Sequence, residues 1–179
     1  MQDTLKVKIQ PLNAEAFRPY GEVLKPKQLI YPETEEGRVA MEMLTIKYRA
    51  SAKKMDQLAI HFSYNKTFIP VQGSLVLIVA PPPRNREAGP SSYELDYEKI
   101  AAFVVEAGQA AFIYKGTWHN ALTLGNECTF LNVTRKNQGE ATSPEDELQG
   151  KIERINIIRP YVEYVDLKKR DNRVIELEV

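Results

Sequence analysis

Two histidines, His61 and His119, are the only imidazoles among 179 residues. Imidazole titrates near neutral pH, so it serves as general acid, general base or metal ligand. His119 follows a turn at Lys115-Gly116 and opens the run Trp118-His-Asn-Ala-Leu-Thr123. If that run is a strand, His119, Ala121 and Thr123 share one face and Asn120, Leu122 and Leu124 the other. His61 lies in Leu58-Ala-Ile-His-Phe-Ser-Tyr64. There Ala59, His61 and Ser63 form a small or polar face, and Leu58, Ile60, Phe62 and Tyr64 an apolar one. A histidine among small residues on its own face is the pattern of a strand lining a cavity. The apolar face needs cover from a sheet behind it, the C-terminal tail or a second subunit.

The rest of the chain must build the wall that holds these residues. Its length suits one domain, with a core that needs no staples. Residues 137–179 are too short for a core of their own and are expected to pack on that same domain. Lys plus Arg and Asp plus Glu both number 24, so the net charge is +0. Nucleic acid as a partner is excluded on that ground, because phosphate binding needs surplus positive charge. No basic amphipathic run suggests a membrane surface, and no apolar stretch has the ~20 residues a spanning helix needs. Cys128 is the one cysteine, which fits a reducing compartment. With no signal-peptide pattern visible, the expectation is a soluble cytoplasmic protein.

Short apolar runs separated by turn residues dominate. Strands are expected at 5–9, 22–24, 39–49, 57–64, 68–80, 103–105, 110–114, 119–124 and 127–135. Asn13 caps one or two helical turns ended by Pro19 and Gly21. Gly73 marks a bulge or bend within 68–80, and Pro81-Pro82-Pro83 stops that run. Residues 137–151 read as a linker or a short acidic helix capped by Ser143. The tail reads as a hairpin, 161–167 and 174–179, turning at 170–173. The pattern favours an all-β barrel or sandwich with few short helices.

The histidine stretches resemble the two motifs of the cupin superfamily. Gly108, Gly116 and His119 occupy places of Gly-x5-Pro-x-Gly-x2-His-x3-Asn, with Tyr114 for the proline and Thr123 for the asparagine. His61, Lys66 and Gly73 fit the second histidine, the glutamate and the closing glycine of Gly-x5-His-x-His-x3-4-Glu-x6-Gly. Ala59 replaces that motif's first histidine. The resemblance implies a cupin-type antiparallel β-barrel, or jelly roll, with both histidines facing its interior. It also raises a divalent metal such as nickel or zinc on His61 and His119. Against tight binding, Lys66 puts a cation where a carboxylate ligand belongs.

Within the cupins the chain is similar to the ureidoglycolate lyase family. Three stretches carry the likeness: Ile9-Gln-Pro-Leu-Asn-Ala-Glu-Ala-Phe-Arg-Pro-Tyr-Gly-Glu-Val23, His61-x6-Phe68-Ile69-Pro70, and Trp118-His119 with Phe130-Leu131. They span about residues 5–136. Phe62, Lys66, Tyr114, Asn120-Ala121 and Thr134 depart from the family's usual residues. The resemblance implies cleavage of ureidoglycolate to glyoxylate and urea, in allantoin and purine catabolism, by a homodimer. For that chemistry His119 is the base or a ligand, and His61 its partner. Lys66 anchors the substrate carboxylate, and Tyr114 donates to an oxygen. Lys66, Lys115, Arg135 and Thr123 are the candidate substrate contacts. The alternative is a non-catalytic or diverged cupin that binds a small carboxylate. Plain structural roles compete throughout: Trp118 as a core anchor, Cys128 as an inert core thiol, Lys66 and Arg135 as strand-end charges, Tyr114 as packing.

Overall fold

The computed structural model describes residues 3–35, 38–49, 53–86, 92–136 and 163–179. The linker or acidic helix expected at 137–151 lies outside them, as does the start of the expected tail hairpin. Strands carry the chain: β1 (Asp3–Pro11), β2 (Gly21–Val23), β3 (Arg38–Lys47), β4 (Lys54–Met55), β5 (Gln57–Ile60), β6 (Lys66–Gln72) and β7 (Leu75–Ala80). They continue as β8 (Ala101–Val105), β9 (Ala111–Ile113), β10 (Trp118–Leu122), β11 (Glu127–Lys136), β12 (Glu163–Asp166) and β13 (Arg173–Glu178). Among the described residues the helical elements include α1 (Ala14–Phe17), α2 (Leu167–Asp171) and a 3-10 turn at Tyr97–Lys99. Asn13 does cap α1, its side chain accepting from the Ala16 amide at 2.9 Å.

The strands form the all-β double sheet expected of a cupin. Among the described residues, one sheet is eight-stranded in the order β12-β5-β10-β7-β8-β1-β13-β4, and the other five-stranded, β2-β9-β6-β11-β3. The expected single strand at 68–80 is two, and they belong to different sheets. Gly73 makes the break. Its φ is +74°, and a Cβ there would come within 2.5 Å of the Glu127 carbonyl oxygen, so only glycine fits the corner. The expected pairing of 119–124 with 127–135 is also a corner between sheets: β10 pairs with β5 and β7, and β11 with β3 and β6.

Two further expectations are corrected. Pairing is not antiparallel throughout, because β1 runs parallel to both β8 and β13. No tight hairpin joins β1 to either strand, so nothing forces an antiparallel sense. The tail is not a hairpin. β12 pairs with β5, whereas β13 pairs with β1 and β4 near the other edge of the sheet. Between them stands α2, capped by the Asp166 side chain on the Lys169 amide at 2.8 Å and ended by Asn172 at φ +55°. An aspartate opening and a left-handed asparagine closing are helix signals that a turn reading overlooks.

The eight-stranded sheet buries apolar residues on both faces. One face carries Leu58, Ile60, Val76, Ile78 and Trp118, packed with Val165, Leu167 and Ile175 of the tail. This is the apolar phase of the His61 strand, and the chain covers it itself. The other face, with Leu75, Leu77, Val79 and Phe103, meets Leu44, Phe68, Ile113 and Phe130 of the five-stranded sheet. Cys128 lies in this second core, where burial pushes its thiol up to about 11. No helix among the described residues is long and apolar enough to cross a membrane.

Candidate active site

His119 stands on β10 opposite Ala59 of β5 and Val79 of β7, on the face toward the five-stranded sheet. Strand β5 ends at Ile60, sooner than expected. The chain bends through Phe62 and Ser63, and Tyr64 forms an isolated bridge to Thr34. The bend brings the Tyr64 ring, expected on the face away from His61, flat against it: centroids 3.8 Å apart, planes 9° apart. The His61 and His119 rings meet edge to face with centroids 4.9 Å apart.

Both rings are fixed through Nδ1. His61 Nδ1 is 3.0 Å from the Tyr64 carbonyl oxygen, and His119 Nδ1 is 3.0 Å from that of Thr117. A carbonyl only accepts, so each Nδ1 carries the proton and each Nε2 presents a lone pair. The His61 ring is 1% exposed, and its Nε2 is buried without a protein partner. Burial, His119 and Lys66 hold His61 well below the usual histidine range. Burial and then Lys66 lower His119 to about 3. Both are neutral acceptors near neutral pH.

Lys66 shares the inner face of β6 with Phe68 by strand alternation. Its Nζ lies 5.1 Å from the Phe68 ring centroid, and that ring lies 6.1 Å from His119. His61, His119 and Lys66 therefore come together around the Phe68 ring.

The other candidates do not join them. Tyr114 turns outward beside Phe112 and its hydroxyl approaches Glu22 at 3.4 Å. Ala111 and Ile113 take the inner positions next to it, so alternation excludes Tyr114. Lys115 bridges Glu33 at 3.1 Å and Glu35 at 3.0 Å. It thereby pins the 33–35 segment, which also hydrogen-bonds Ser63 and Asn65. Thr123 ties the far end of β10: its hydroxyl donates to the Ser74 carbonyl at 3.0 Å and accepts from the Gly125 amide at 3.2 Å. Arg135 is buried, but alternation on β11 puts it on the face opposite Phe130 and Asn132. Trp118 is fully buried and donates to the Glu94 carbonyl at 3.3 Å, a core anchor.

Sequence reasoning missed Tyr64, Glu42 and Asn132. On β11 the inner face reads Cys128, Phe130, Asn132, Thr134, so a polar residue following two core residues was the available signal. Asn132 pairs in register with Glu42 of β3 and Phe68 of β6.

A divalent ion suits this donor set poorly. The two imidazoles supply half a tetrahedral shell. Ala59 stands beside His119 where a third ligand would be needed, and the Lys66 charge acts on both rings. Among the described residues no group of three or more His, Cys, Asp or Glu stands close enough to share an ion.

Comparison with known proteins agrees on the family. The family profile described as ureidoglycolate lyase matches residues 28–152. A ureidoglycolate lyase of Burkholderia mallei is 28% identical over 160 residues, covering 76% of this chain and 89% of that protein. In Agrobacterium fabrum, a protein with ureidoglycolate lyase in its name is 30% identical over 126 residues, 65% of this chain and 74% of that one. Among solved structures, an oxalate decarboxylase of Bacillus subtilis aligns with 74% of this chain at 15% identity and a TM-score of 0.40. The chain spans 32% of that enzyme's length. With the profile covering most of its residues, the chain belongs to the ureidoglycolate lyase family.

Proposed function

We propose that this protein cleaves ureidoglycolate to glyoxylate and urea, with His119 as the proton carrier. The observation that carries the proposal is the tautomer of the paired imidazoles: Nδ1 committed to a carbonyl, Nε2 left as an acceptor. His119 Nε2 takes the proton of the substrate hydroxyl. The carbon–oxygen double bond forms as the carbon–nitrogen bond breaks, and its electron pair passes to the ureido nitrogen. That nitrogen receives the same proton from His119, so urea and glyoxylate leave with atoms and charge balanced. Lys66 pairs with the substrate carboxylate and orients it. A bound carboxylate also offsets the Lys66 charge that depresses His119, making the base stronger when substrate is present. No step needs a metal, and we infer that none is tightly bound.

A second reading has one observation in its favour. Histidines held neutral by burial and a nearby cation are weak bases, which suits a module that only binds small carboxylates. Glyoxylate release decides between them. Turnover of ureidoglycolate by wild type, lost in His119→Ala, supports the lyase. Carboxylate binding without turnover supports the binding module.

We place the reaction in the cytoplasm, where the free buried Cys128 is chemically at ease. The chain works as one domain and as a homodimer. Since the chain covers its own Leu58–Ile60 face, support for the dimer moves to the outer face of β3. There Met41 is 74% exposed and Met43 59%, with exposed Val39 on the same strand. Light scattering that gives a monomer at micromolar concentration would remove this part of the proposal.

A further inference from the structure

The inner face of the five-stranded sheet holds a polar pair that the proton transfer does not use. The Asn132 side chain is 3% exposed. Its Nδ2 donates to Glu42 Oε2 at 3.1 Å. A carboxylate only accepts, so this bond decides which end of the amide is nitrogen. The other end, Oδ1, is buried with no hydrogen-bond partner. An acceptor left so is costly, and a fold carries that cost where a ligand donor meets it. Asn132 faces Phe68 in register. The Lys66 ammonium lies 5.1 Å from the centre of the same ring, and the His119 ring meets it edge to face with centroids 6.1 Å apart. A cation, an imidazole acceptor and an amide acceptor thus gather around one phenyl ring.

Resting on the lyase reading above, we infer that Asn132, oriented by Glu42, is the specificity residue for the ureido end of the substrate, its Oδ1 accepting a ureido N–H. Lys66 takes the carboxylate and His119 the hydroxyl, which leaves the N–H donors of the urea half to be recognised. The other buried acceptor of the site, His61 Nε2, lies on the opposite wall beside His119. Among the described residues of the five-stranded sheet, Asn132 Oδ1 is such a buried acceptor without a partner. A plain hydroxy acid fills the other two contacts and leaves this one empty. Sites that hydrogen-bond a substrate group discriminate against analogues lacking it, because their own polar atoms are then stranded.

Two unreactive probes separate the contacts: ureidoacetate, which keeps the ureido group and carboxylate, and glycolate, which keeps the hydroxyl and carboxylate. In titration calorimetry, Asn132→Ala should weaken ureidoacetate about tenfold and leave glycolate within about twofold. Glu42→Ala keeps the amide but frees it, and should give a smaller loss in the same direction. It also serves if Asn132→Ala lacks a cooperative melt. Equal losses for both probes, or no loss for either, overturn the role of Asn132 while the lyase reading stands. If wild type binds neither probe and turns over no ureidoglycolate, both fall together.

Discussion

The Gly116 amide donates to the His61 carbonyl across 2.6 Å, tying the turn before β10 to the bend after β5. The two histidines, far apart in sequence, are held by a shared backbone contact. Gly116 has φ +78°, and a Cβ there would stand 2.8 Å from the Phe62 ring. Gly116→Ala should therefore destabilise the fold by about 1–3 kcal/mol. It should also reduce turnover in the molecules that stay folded, because the His61 segment must shift. A thermal melt and kcat measured together check this; an unchanged melting temperature would contradict it.

His119→Ala should lower glyoxylate formation by about 10²–10⁴-fold, the usual loss for a positioned proton carrier, with the far-ultraviolet circular dichroism unchanged. His61→Ala should cost less, since its part is to orient and polarise its neighbour. A larger loss at His61 would reverse the assignment.

Lysines 66 and 115 should behave oppositely. Lys66→Ala should chiefly raise KM, by removing the carboxylate partner. Lys115→Ala should leave kcat and KM within about twofold and cost at most about 1 kcal/mol, as exposed ion pairs do. Steady-state kinetics of both variants decide it.

Acid stability follows from the buried rings. The folded pKa of His119 is lowered to about 3 and that of His61 well below its usual value, against about 6.5 in the unfolded chain. Between those values the unfolded chain binds more protons, so stability is complete above about pH 6.5 and falls as pH drops toward 3. His119→Gln should flatten part of that slope in denaturant titrations between pH 4 and 7. A wild-type stability independent of pH over that range would contradict neutral burial.

Dialysis against a strong chelator should leave turnover unchanged. Lys66→Glu should bind nickel or zinc that wild type does not, because it restores an anionic ligand beside two imidazoles. Metal analysis of both proteins after dialysis reads this out; a full equivalent in wild type would refute it.

The histidine positions, the parity of His119 with Ala121, the glycine corners and the helix cap at Asn13 were legible because they are local. Strand alternation has period two, and positive φ selects glycine. Core roles for Trp118 and Cys128 were equally legible from alternation. Everything that depends on which strands become neighbours was not. Adjacency along the chain suggested that Tyr114, Lys115 and Thr123 accompany the histidines. Instead, alternation turned Tyr114 outward, Glu33 and Glu35 captured Lys115, and the corner at Ser74 captured Thr123. Asn132 and Glu42, 90 residues apart in sequence, meet because β11 pairs with β3. Long-range pairing is decided by how two sheets share one core, and only the tertiary structure brings those residues to the wall of the site.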